Sequence, residues 1–356
     1  MSIRPKIKRI AKRISLSLSN KAYKKYFTDE KRPYTTGKLS YEQKRQAMEF
    51  YSPYFKLNTL FHAFYTEKTG RFEAEYIPED MWFTVIDRYF NNREKAKILD
   101  NKSYYERMFA GSLVKHPETV LHRINGFWYD SKMEMLTQLE ADAIISSESS
   151  LFVKLSSDSC GGRGVKHISN EEDIVSEFHK TVAHGKDVVI QRAIKQHFEL
   201  SKLGKSSVNT IRVVSLLSEK KVKIYSSVLR MGIGKSRVDN ASSGGIAVGI
   251  TENGHLKDTA YSMLGVKYDC HPTTKTHFSD ITVPSYSCVC NLVEKLHPMI
   301  PDFRLVAWDF AIDEHAEPVL IEVNLCMGSL DFHQLNNGPI FKEDTKKILD
   351  EVFNKT

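Results

Sequence analysis

The clearest hydrophobic pattern lies near the C-terminus, where two apolar runs flank a short polar segment. Residues 305–312 and 319–325 are rich in β-branched and aromatic side chains. Segment 313–318 is polar and ends in a proline, which has no N–H for a strand ladder. This pattern predicts a β-hairpin with 313–318 as its turn. With these bounds, Ile312 pairs with Val319 and the rest of the register follows by counting outward.

The predicted register collects acidic and amide side chains on one face of the hairpin. Asp309 lies opposite Glu322 and Ala307 opposite Asn324, while Ile321 and the next two odd-numbered residues face the other way. Two opposed carboxylates repel each other unless a cation lies between them, and Mg²⁺ binds carboxylates, water and substrate phosphates. The hairpin therefore predicts a Mg²⁺ site, with a solvated sheet face as the alternative interpretation.

The remaining apolar patterns predict a chain that mixes helices and strands. Residues 29–100 are rich in Tyr, Phe and Lys at helical spacing and predict a helical region. Strands are predicted at 151–155, 187–194, 207–216 and 221–231, and helices at 131–146, 283–297 and 342–354.

A lysine in the middle of an apolar strand precedes a loop of small residues. Lys154 lies in the run Leu151–Leu155, and residues 156–164 are mostly Ser and Gly. An unpaired buried charge is costly, so the lysine needs an anionic partner, and the N–H groups of a glycine-rich loop can surround phosphate oxygens. The loop is not a Walker A sequence. We predict a phosphate-binding strand and loop, with a flexible surface turn as the alternative.

Further cations lie beside or within predicted strands. Arg212 interrupts strand 207–216, and its guanidinium needs an anionic partner, either a ligand or a structural carboxylate. Segment 234–249 places cations, amides and hydroxyls around adjacent glycines, where the backbone can approach a ligand closely. Lys102 is either a phosphate contact or a surface lysine.

The composition is typical of a folded protein in a reducing compartment. The 356 residues are 41% hydrophobic and 27% charged, and this length suggests two or three domains. No apolar run approaches the ~18 residues of a membrane span, and the N-terminus lacks a secretory pattern. The five cysteines have no metal-ligand spacing, which predicts a cytoplasmic protein.

The positive charge is concentrated at the N-terminus. Residues 1–28 hold nine of the 51 lysines and arginines and no acid, so the remainder carries 42 basic and 44 acidic residues. Isoleucines recur there at helical spacing, which predicts an amphipathic arm. The arm lies on an anionic membrane at its inner face, serves as a nucleic-acid-binding tail, or packs as an ordinary helix. Within residues 29–100 a nucleic-acid partner is disfavoured, because basic residues do not interleave with the aromatics in a single stripe.

Five motifs in a fixed order carry a family resemblance. They are a strand lysine before a Ser/Gly loop, a strand that breaks into a connector, an Asn-x-x-Arg strand, an Arg-x-x-Asn-x-x-x-Gly-Gly loop and an Asp…Glu-x-Asn hairpin. Over roughly residues 100–335 this arrangement resembles the ATP-grasp superfamily, and more narrowly its sugar-transfer-associated members.

The resemblance implies an α+β protein with the ATP-grasp fold, in which two α+β lobes clamp ATP after a mainly helical N-terminal region. The implied divisions are a basic arm at 1–28, a helical domain at 29–100, an N-lobe at 101–194, and a C-lobe at 195–356 with the metal hairpin and a C-terminal helix.

The resemblance also implies a role for each matching residue. Cations and the glycine loop bind the phosphates of ATP, the connector backbone binds adenine, and Glu199 or His197 binds the ribose. The implied ATP-binding residues are Lys102, Lys154, Ser157, Gly161, Gly162, Gly164, Gln191, Arg192, Ala193, Ile194, His197 and Glu199. The implied catalytic residues are Arg212, Arg237 and Asn240, and the implied metal ligands are Asp309, Glu322 and Asn324.

The implied activity is that of a carboxylate–amine ligase, which uses ATP and Mg²⁺ to form an amide through an acyl phosphate. Two bound ions are expected, with Mn²⁺ as an alternative metal. Expected substrates are a small carboxylate and an amine, such as an amino acid and a sugar or uronic acid, in polysaccharide biosynthesis. The alternatives are a kinase of the same fold and a non-catalytic nucleotide-binding adaptor at the membrane.

Overall fold

The described fold consists of helices followed by two antiparallel sheets. A computed structural model describes residues 37–157, 164–169, 174–182, 185–204, 206–219, 221–234, 244–326 and 328–354. The arm predicted at 1–28 lies outside these residues. The α+β prediction is confirmed.

Helices form the first part of the described chain. They are α1 Tyr41–Tyr51, α2 Leu60–Thr69, α3 Glu79–Met81, a π-helical turn Trp82–Ile86, α4 Asp87–Phe90 and α5 Arg93–Leu99. Ser40 begins α1 through a capping box with Gln43, and the Asn92 side chain caps α5. The helical N-terminal region predicted by the sequence is therefore confirmed over the residues described.

A six-stranded antiparallel sheet follows a 3₁₀ turn at Lys102–Tyr104 and helix α6 Tyr105–Met108. Its elements are β1 Thr119–Ile124, β2 Phe127–Asp130, β3 Met135–Leu136, α7 Gln138–Ser146, β4 Ser150–Leu155, β5 Val165–Ser169, α8 Ile174–Val182 and β6 Val188–Arg192, with strand order β3-β2-β1-β6-β4-β5. Helices α7 and α8 cover one face, where Leu151 and Val153 are buried. Because side chains alternate along β4, Lys154 projects from the opposite face.

Helix α7 is shorter than the sequence predicts. The helix predicted from residue 131 begins only at Gln138, because the Thr137 side chain accepts a hydrogen bond from the Glu140 N–H in a capping box. Part of the preceding segment forms β3 instead.

The second sheet has seven antiparallel strands. Its elements are α9 Phe198–Ser201, β7 Thr210–Ser218, β8 Lys221–Met231, β9 Ile246–Ile250, β10 Leu256–Ser262, β11 Lys267–Tyr268, α10 Tyr286–Leu296, β12 Leu305–Ile312 and β13 Pro318–Asn324, with strand order β11-β10-β9-β8-β7-β12-β13. Helices α11 Asp331–Asn337 and α12 Thr345–Asn354 follow. Short 3₁₀ turns lie at Phe278–Asp280, His297–Met299 and Lys342–Asp344.

The second sheet buries apolar residues on both faces. On one face Val213, Leu229 and Trp308 pack with residues of α10. On the other face Val214 and Leu216 pack with the N-terminal helices and α12. On this second face, the N-terminal helices therefore form one layer of the core of the sheet and do not form a separate core.

Direct hydrogen bonds join the N-terminal helical region to helix α11 and the segment before it. The Gln334 side chain accepts from the Ile77 N–H and donates to the Ile77 carbonyl, both at 2.9 Å. The Trp82 Nε1 donates to the carbonyl of Gly328 at 2.8 Å. Residues 77–82 are therefore held against the segment that follows β12–β13, the candidate metal-binding hairpin.

The β12–β13 hairpin has the predicted register where it matters for the site, but not at its turn. Asp309 pairs with Glu322 and Ala307 with Asn324, as predicted. The predicted pairing of Ile312 with Val319 is wrong, because β13 begins one residue earlier at Pro318 and a bulge leaves Ile321 without an opposite residue. Leu320, rather than Ile321, consequently joins the buried cluster on the apolar face.

Over the residues that the structure describes, no helix is both long and apolar enough to cross a membrane. Four cysteines are described, and each is a free thiol: Cys270, Cys288, Cys290 and Cys326.

The packing of α12 and its preceding turn against the N-terminal helices predicts a large stability loss on truncating Phe341. Its side chain is fully buried, with ring centroids 5.8 Å from Trp82 and 5.2 Å from Tyr225. We expect Phe341→Ala to lower the free energy of unfolding by about 3–5 kcal/mol, measured by urea denaturation. Phe127→Ala, at a 56% exposed position, is the control and should change it by less than about 0.5 kcal/mol. Equal losses in both variants would contradict this account of the core.

Candidate functional site

A row of charged side chains crosses the second sheet. Arg212 on β7, Asp309 on β12 and Glu322 on β13 are direct cross-strand neighbours. Arg212 donates to both oxygens of Asp309, from Nε at 2.8 Å and from Nη2 at 2.5 Å. The Arg230 guanidinium on β8 lies 3.3 Å from the same carboxylate. Two cations therefore converge on one buried acid.

The electrostatics of Asp309 follow from this arrangement. Burial disfavours its charged form, but the positive charges of Arg212 and Arg230 outweigh burial and hold the pKa of Asp309 below its ordinary value. The carboxylate is 1% exposed, so it is a charged group in a low-dielectric setting. Such a pair is stable only while both partners stay charged and hydrogen-bonded.

Arg230 is a site residue that sequence reasoning missed. It interrupts the apolar run of β8 in the same way as Arg212 interrupts β7, so the same signal was present. It is 7% exposed and also donates twice to the hydroxyl of Thr210, at 2.8 and 3.0 Å.

Two lysines reach this row from the other side. Lys102 forms an ion pair of 2.7 Å with Glu322, and its backbone N–H donates to the Ser156 carbonyl at 2.8 Å. Lys154 on β4 donates to the Gln191 side chain on β6 at 2.9 Å. Burial, and then the positive charge of Lys102, lowers the pKa of Lys154 to about 8, while Glu322 opposes this shift. Lys102 thus bridges the two sheets.

The hairpin presents two carboxylates and one amide as metal-ligand candidates. The Asn324 Nδ2 donates to the Ala307 carbonyl at 3.2 Å and to Asp309 at 3.3 Å, which leaves its side-chain oxygen for a ligand. Within the described ranges, no group of three or more His, Cys, Asp or Glu side chains is placed to hold a metal ion. A set of two carboxylates and one amide suits Mg²⁺ that retains water and phosphate ligands.

The phosphate loop predicted after β4 is described only at its ends. Gly164 has φ +80°, and a Cβ there would lie 2.4 Å from a Leu155 methyl carbon, so glycine is required at this position. Ser157 follows β4 and is half-buried. Gly161 and Gly162 lie outside the described residues, as do Arg237 and Asn240.

The predicted connector 191–194 begins inside β6, because Gln191 and Arg192 are the last two residues of that strand. Gln191 is buried and its amide lies 3.4 Å from the Thr119 hydroxyl. The Arg192 side chain points to solvent and pairs with Glu118 and Glu148. Ala193 donates its N–H to the Ser150 carbonyl at 3.3 Å, and Ile194 is half-buried after it.

The two ribose candidates have local partners in helix α9. The His197 Nδ1 accepts the Glu199 N–H at 3.2 Å and so caps the helix. The Glu199 carboxylate pairs with Lys202 at 2.7 Å. These contacts account for both side chains structurally, and their roles in nucleotide binding remain predictions.

Comparison with protein families identifies the chain. The sequence model of the Sugar-transfer associated ATP-grasp family matches residues 84–350. The chain is an ATP-grasp protein. Because the match spans well over half of its length, the chain belongs to the sugar-transfer associated ATP-grasp family, as its five motifs predicted. No curated protein matches the sequence significantly.

Similar solved structures are distant in sequence. The biotin carboxylase domain of the Hydrogenobacter thermophilus 2-oxoglutarate carboxylase, solved with MgADP, ADP and bicarbonate, is 12% identical with a TM-score of 0.46, covering 75% of this chain and 48% of that chain. D-alanyl-alanine synthetase A from Vibrio cholerae is 13% identical with a TM-score of 0.42, covering 72% and 65%. This chain therefore spans about half to two thirds of the length of these proteins.

The low pKa of Lys154 predicts a pH-dependent contribution to stability. Its folded pKa of about 8 lies below its ordinary value of 10.5, so between these pH values the unfolded chain binds more protons. In this window the wild-type free energy of unfolding should rise with pH relative to that of Lys154→Met. Urea denaturation from pH 7.5 to 10.5 measures this difference.

Phe152→Leu is the control for this experiment, because it changes the same strand without removing a titratable group. Its stability difference from wild type should be independent of pH. If the stability difference between wild type and Lys154→Met were also independent of pH, the surroundings of Lys154 would not lower its pKa.

Proposed function

We propose that this protein is an ATP- and Mg²⁺-dependent carboxylate–amine ligase that acts in cell-surface polysaccharide biosynthesis or modification. The observation that carries the proposal is the placement of three cations near the acidic hairpin residues Asp309 and Glu322: Lys102 of the 3₁₀ turn, Lys154 of the first sheet and Arg212 of the second. Cations with partnered carboxylates suit a polyphosphate that arrives with a divalent ion. The family, which is named for its association with sugar transfer, supports a glycan-related substrate.

In this proposal the nucleotide lies between the two sheets. Lys102 and Lys154 bind phosphate oxygens, the loop 156–164 covers them, and the backbone of 191–194 binds adenine. His197 or Glu199 binds the ribose. Asp309, Glu322 and Asn324 would hold Mg²⁺, which supplies charge neutralisation for the phosphates when bound. On binding, Lys102 would exchange its carboxylate partner for phosphate.

The proposed reaction has two balanced steps. A substrate carboxylate oxygen attacks the γ-phosphorus of ATP, the bond to the bridging oxygen of ADP breaks, and an acyl phosphate and ADP form. The amine nitrogen then attacks the acyl carbon, phosphate leaves with the bonding pair, and the nitrogen loses a proton to give the amide. Arg212, with Arg237 and Asn240, would stabilise the negative charge that develops on phosphate and acyl oxygens.

The proposal is tested by ³¹P NMR of the full chain with Mg²⁺, ATP, pooled amino acids and uronic acids, and hydroxylamine. Formation of ADP, phosphate and a hydroxamate is expected, because hydroxylamine traps an acyl phosphate. A stable phosphate ester would instead establish the kinase alternative. ATP that stays intact would contradict a ligase for this substrate pool.

Within the same assay, Glu322→Gln is expected to reduce Mg²⁺-dependent turnover by at least about a hundredfold while far-UV circular dichroism stays unchanged. The matched control is Glu317→Gln, which alters an acid of the same hairpin that pairs with Lys115 away from the proposed metal ligands. Wild-type turnover in Glu322→Gln would refute the proposed metal site.

We further propose that residues 1–28 hold this cytoplasmic protein at the inner face of the membrane. The nine cations and no acids of the arm support attraction to anionic lipid. Deleting residues 1–28 is expected to abolish cosedimentation with vesicles containing phosphatidylglycerol, while neutral vesicles bind neither protein. Equal binding by the full and shortened chains would refute the proposal.

A further inference from the structure

The ammonium group of Lys102 lies on a carboxylate that belongs to the proposed metal site. Its Nζ is 2.7 Å from Oε1 of Glu322, in an ion pair whose side chains are only 8% and 26% exposed. Glu322 lies directly opposite Asp309 in the hairpin, and Asn324 is two residues further along the same face. The lysine therefore neutralises one of the three proposed metal ligands.

The main chain of Lys102 is fixed to the base of the predicted phosphate loop. Its N–H donates to the Ser156 carbonyl at 2.8 Å, and the hydroxyl of the next residue, Ser103, lies 3.1 Å from the Ser156 hydroxyl. Ser156 is the first residue of the loop 156–164 and is 1% exposed. The flexible four-carbon side chain of Lys102 can therefore change its anionic partner while its main chain stays in place.

The two acids of the hairpin have more cations than acids around them. Asp309 and Glu322 contribute two negative charges. Four cations lie near them: Lys102, Lys154, Arg212 and Arg230. A divalent ion adds further positive charge to this group, and like charges repel strongly in a partly buried site. The phosphates of a nucleotide reverse the balance, because they bring negative charge and accept strong hydrogen bonds from lysine.

We propose that the Lys102 ammonium competes with divalent cations for Glu322, so that the hairpin binds Mg²⁺ tightly only together with the phosphates of a nucleotide. This inference rests on the proposed function and adds an order of binding to it. When phosphate takes over the lysine, the Glu322 carboxylate becomes available to the metal. The coupling is reciprocal, because each ligand changes the affinity for the other by the same factor.

The first test measures Mn²⁺ binding to the full chain without nucleotide, from the loss of the electron paramagnetic resonance signal of the free ion. Lys102→Met removes the competing charge and should raise the affinity for Mn²⁺ by about fivefold or more. Lys102→Arg keeps the charge and should not raise it. Weaker or unchanged Mn²⁺ binding in Lys102→Met would overturn the inference.

Lys115→Met is the matched control for this measurement. It also removes a lysine that pairs with an acid of the same hairpin, but that acid is Glu317, away from the proposed metal ligands. Its affinity for Mn²⁺ should equal that of wild type. An equal gain in Lys115→Met and Lys102→Met would overturn the inference, because it would reflect only the net charge of the protein.

The second test measures ADP binding at saturating Mg²⁺ by titration calorimetry. Lys102→Met should bind ADP about fivefold or more weakly than wild type, because a phosphate loses its lysine partner. The two affinities then change in opposite directions, whereas a loss of structure would weaken both. Unchanged or tighter ADP binding would overturn the coupling. If circular dichroism shows that Lys102→Met fails to fold, Lys102→Gln removes the same charge and decides both tests.

The wild-type results separate this inference from the proposed function. Wild type that binds neither Mn²⁺ nor ADP with Mg²⁺ would refute the proposed function itself. Wild type that binds ADP with Mg²⁺, while Lys102→Met gains no affinity for Mn²⁺, would refute only the role of Lys102 in the order of binding.

Discussion

The buried charge of Asp309 is the constraint around which this side of the second sheet is organised. A carboxylate that is 1% exposed must keep its partners, because an uncompensated buried charge costs several kcal/mol. Arg212 supplies two hydrogen bonds from the adjacent strand, and Arg230 supplies a second positive charge from the next. All three positions are interior strand residues, so the backbone ladder fixes their separation before any ligand arrives.

The other charged groups near this row are also held by protein partners. Glu322 is paired with Lys102. Lys154 donates to the side-chain oxygen of Gln191, and the pKa of Lys154 is lowered to about 8. In the proposed function, a phosphate or a divalent ion would replace these contacts, because the groups are charged or polar. Replacing the protein partner of a charged group with a ligand costs less free energy than burying a new charge.

The N-terminal helices complete the core over β7 and β12 and are joined to α11 by Gln334. Several of their buried residues, such as Tyr51, Ile77 and Trp82, precede the family match, which begins at residue 84. Residues outside the match therefore contribute to the core of the second sheet.

By itself, the sequence determined the family, the α+β class, the helical N-terminal region and the opposition of Asp309 to Glu322, because these follow from local periodicity and from motifs in a fixed order. It did not determine that Ile312 pairs with Pro318, since a bulge depends on packing across the whole sheet. Only the tertiary structure decided that Arg212 and Arg230 share Asp309 and that Gln334 bonds to Ile77. Those contacts join residues that are far apart in the sequence, and no local sequence pattern predicts them.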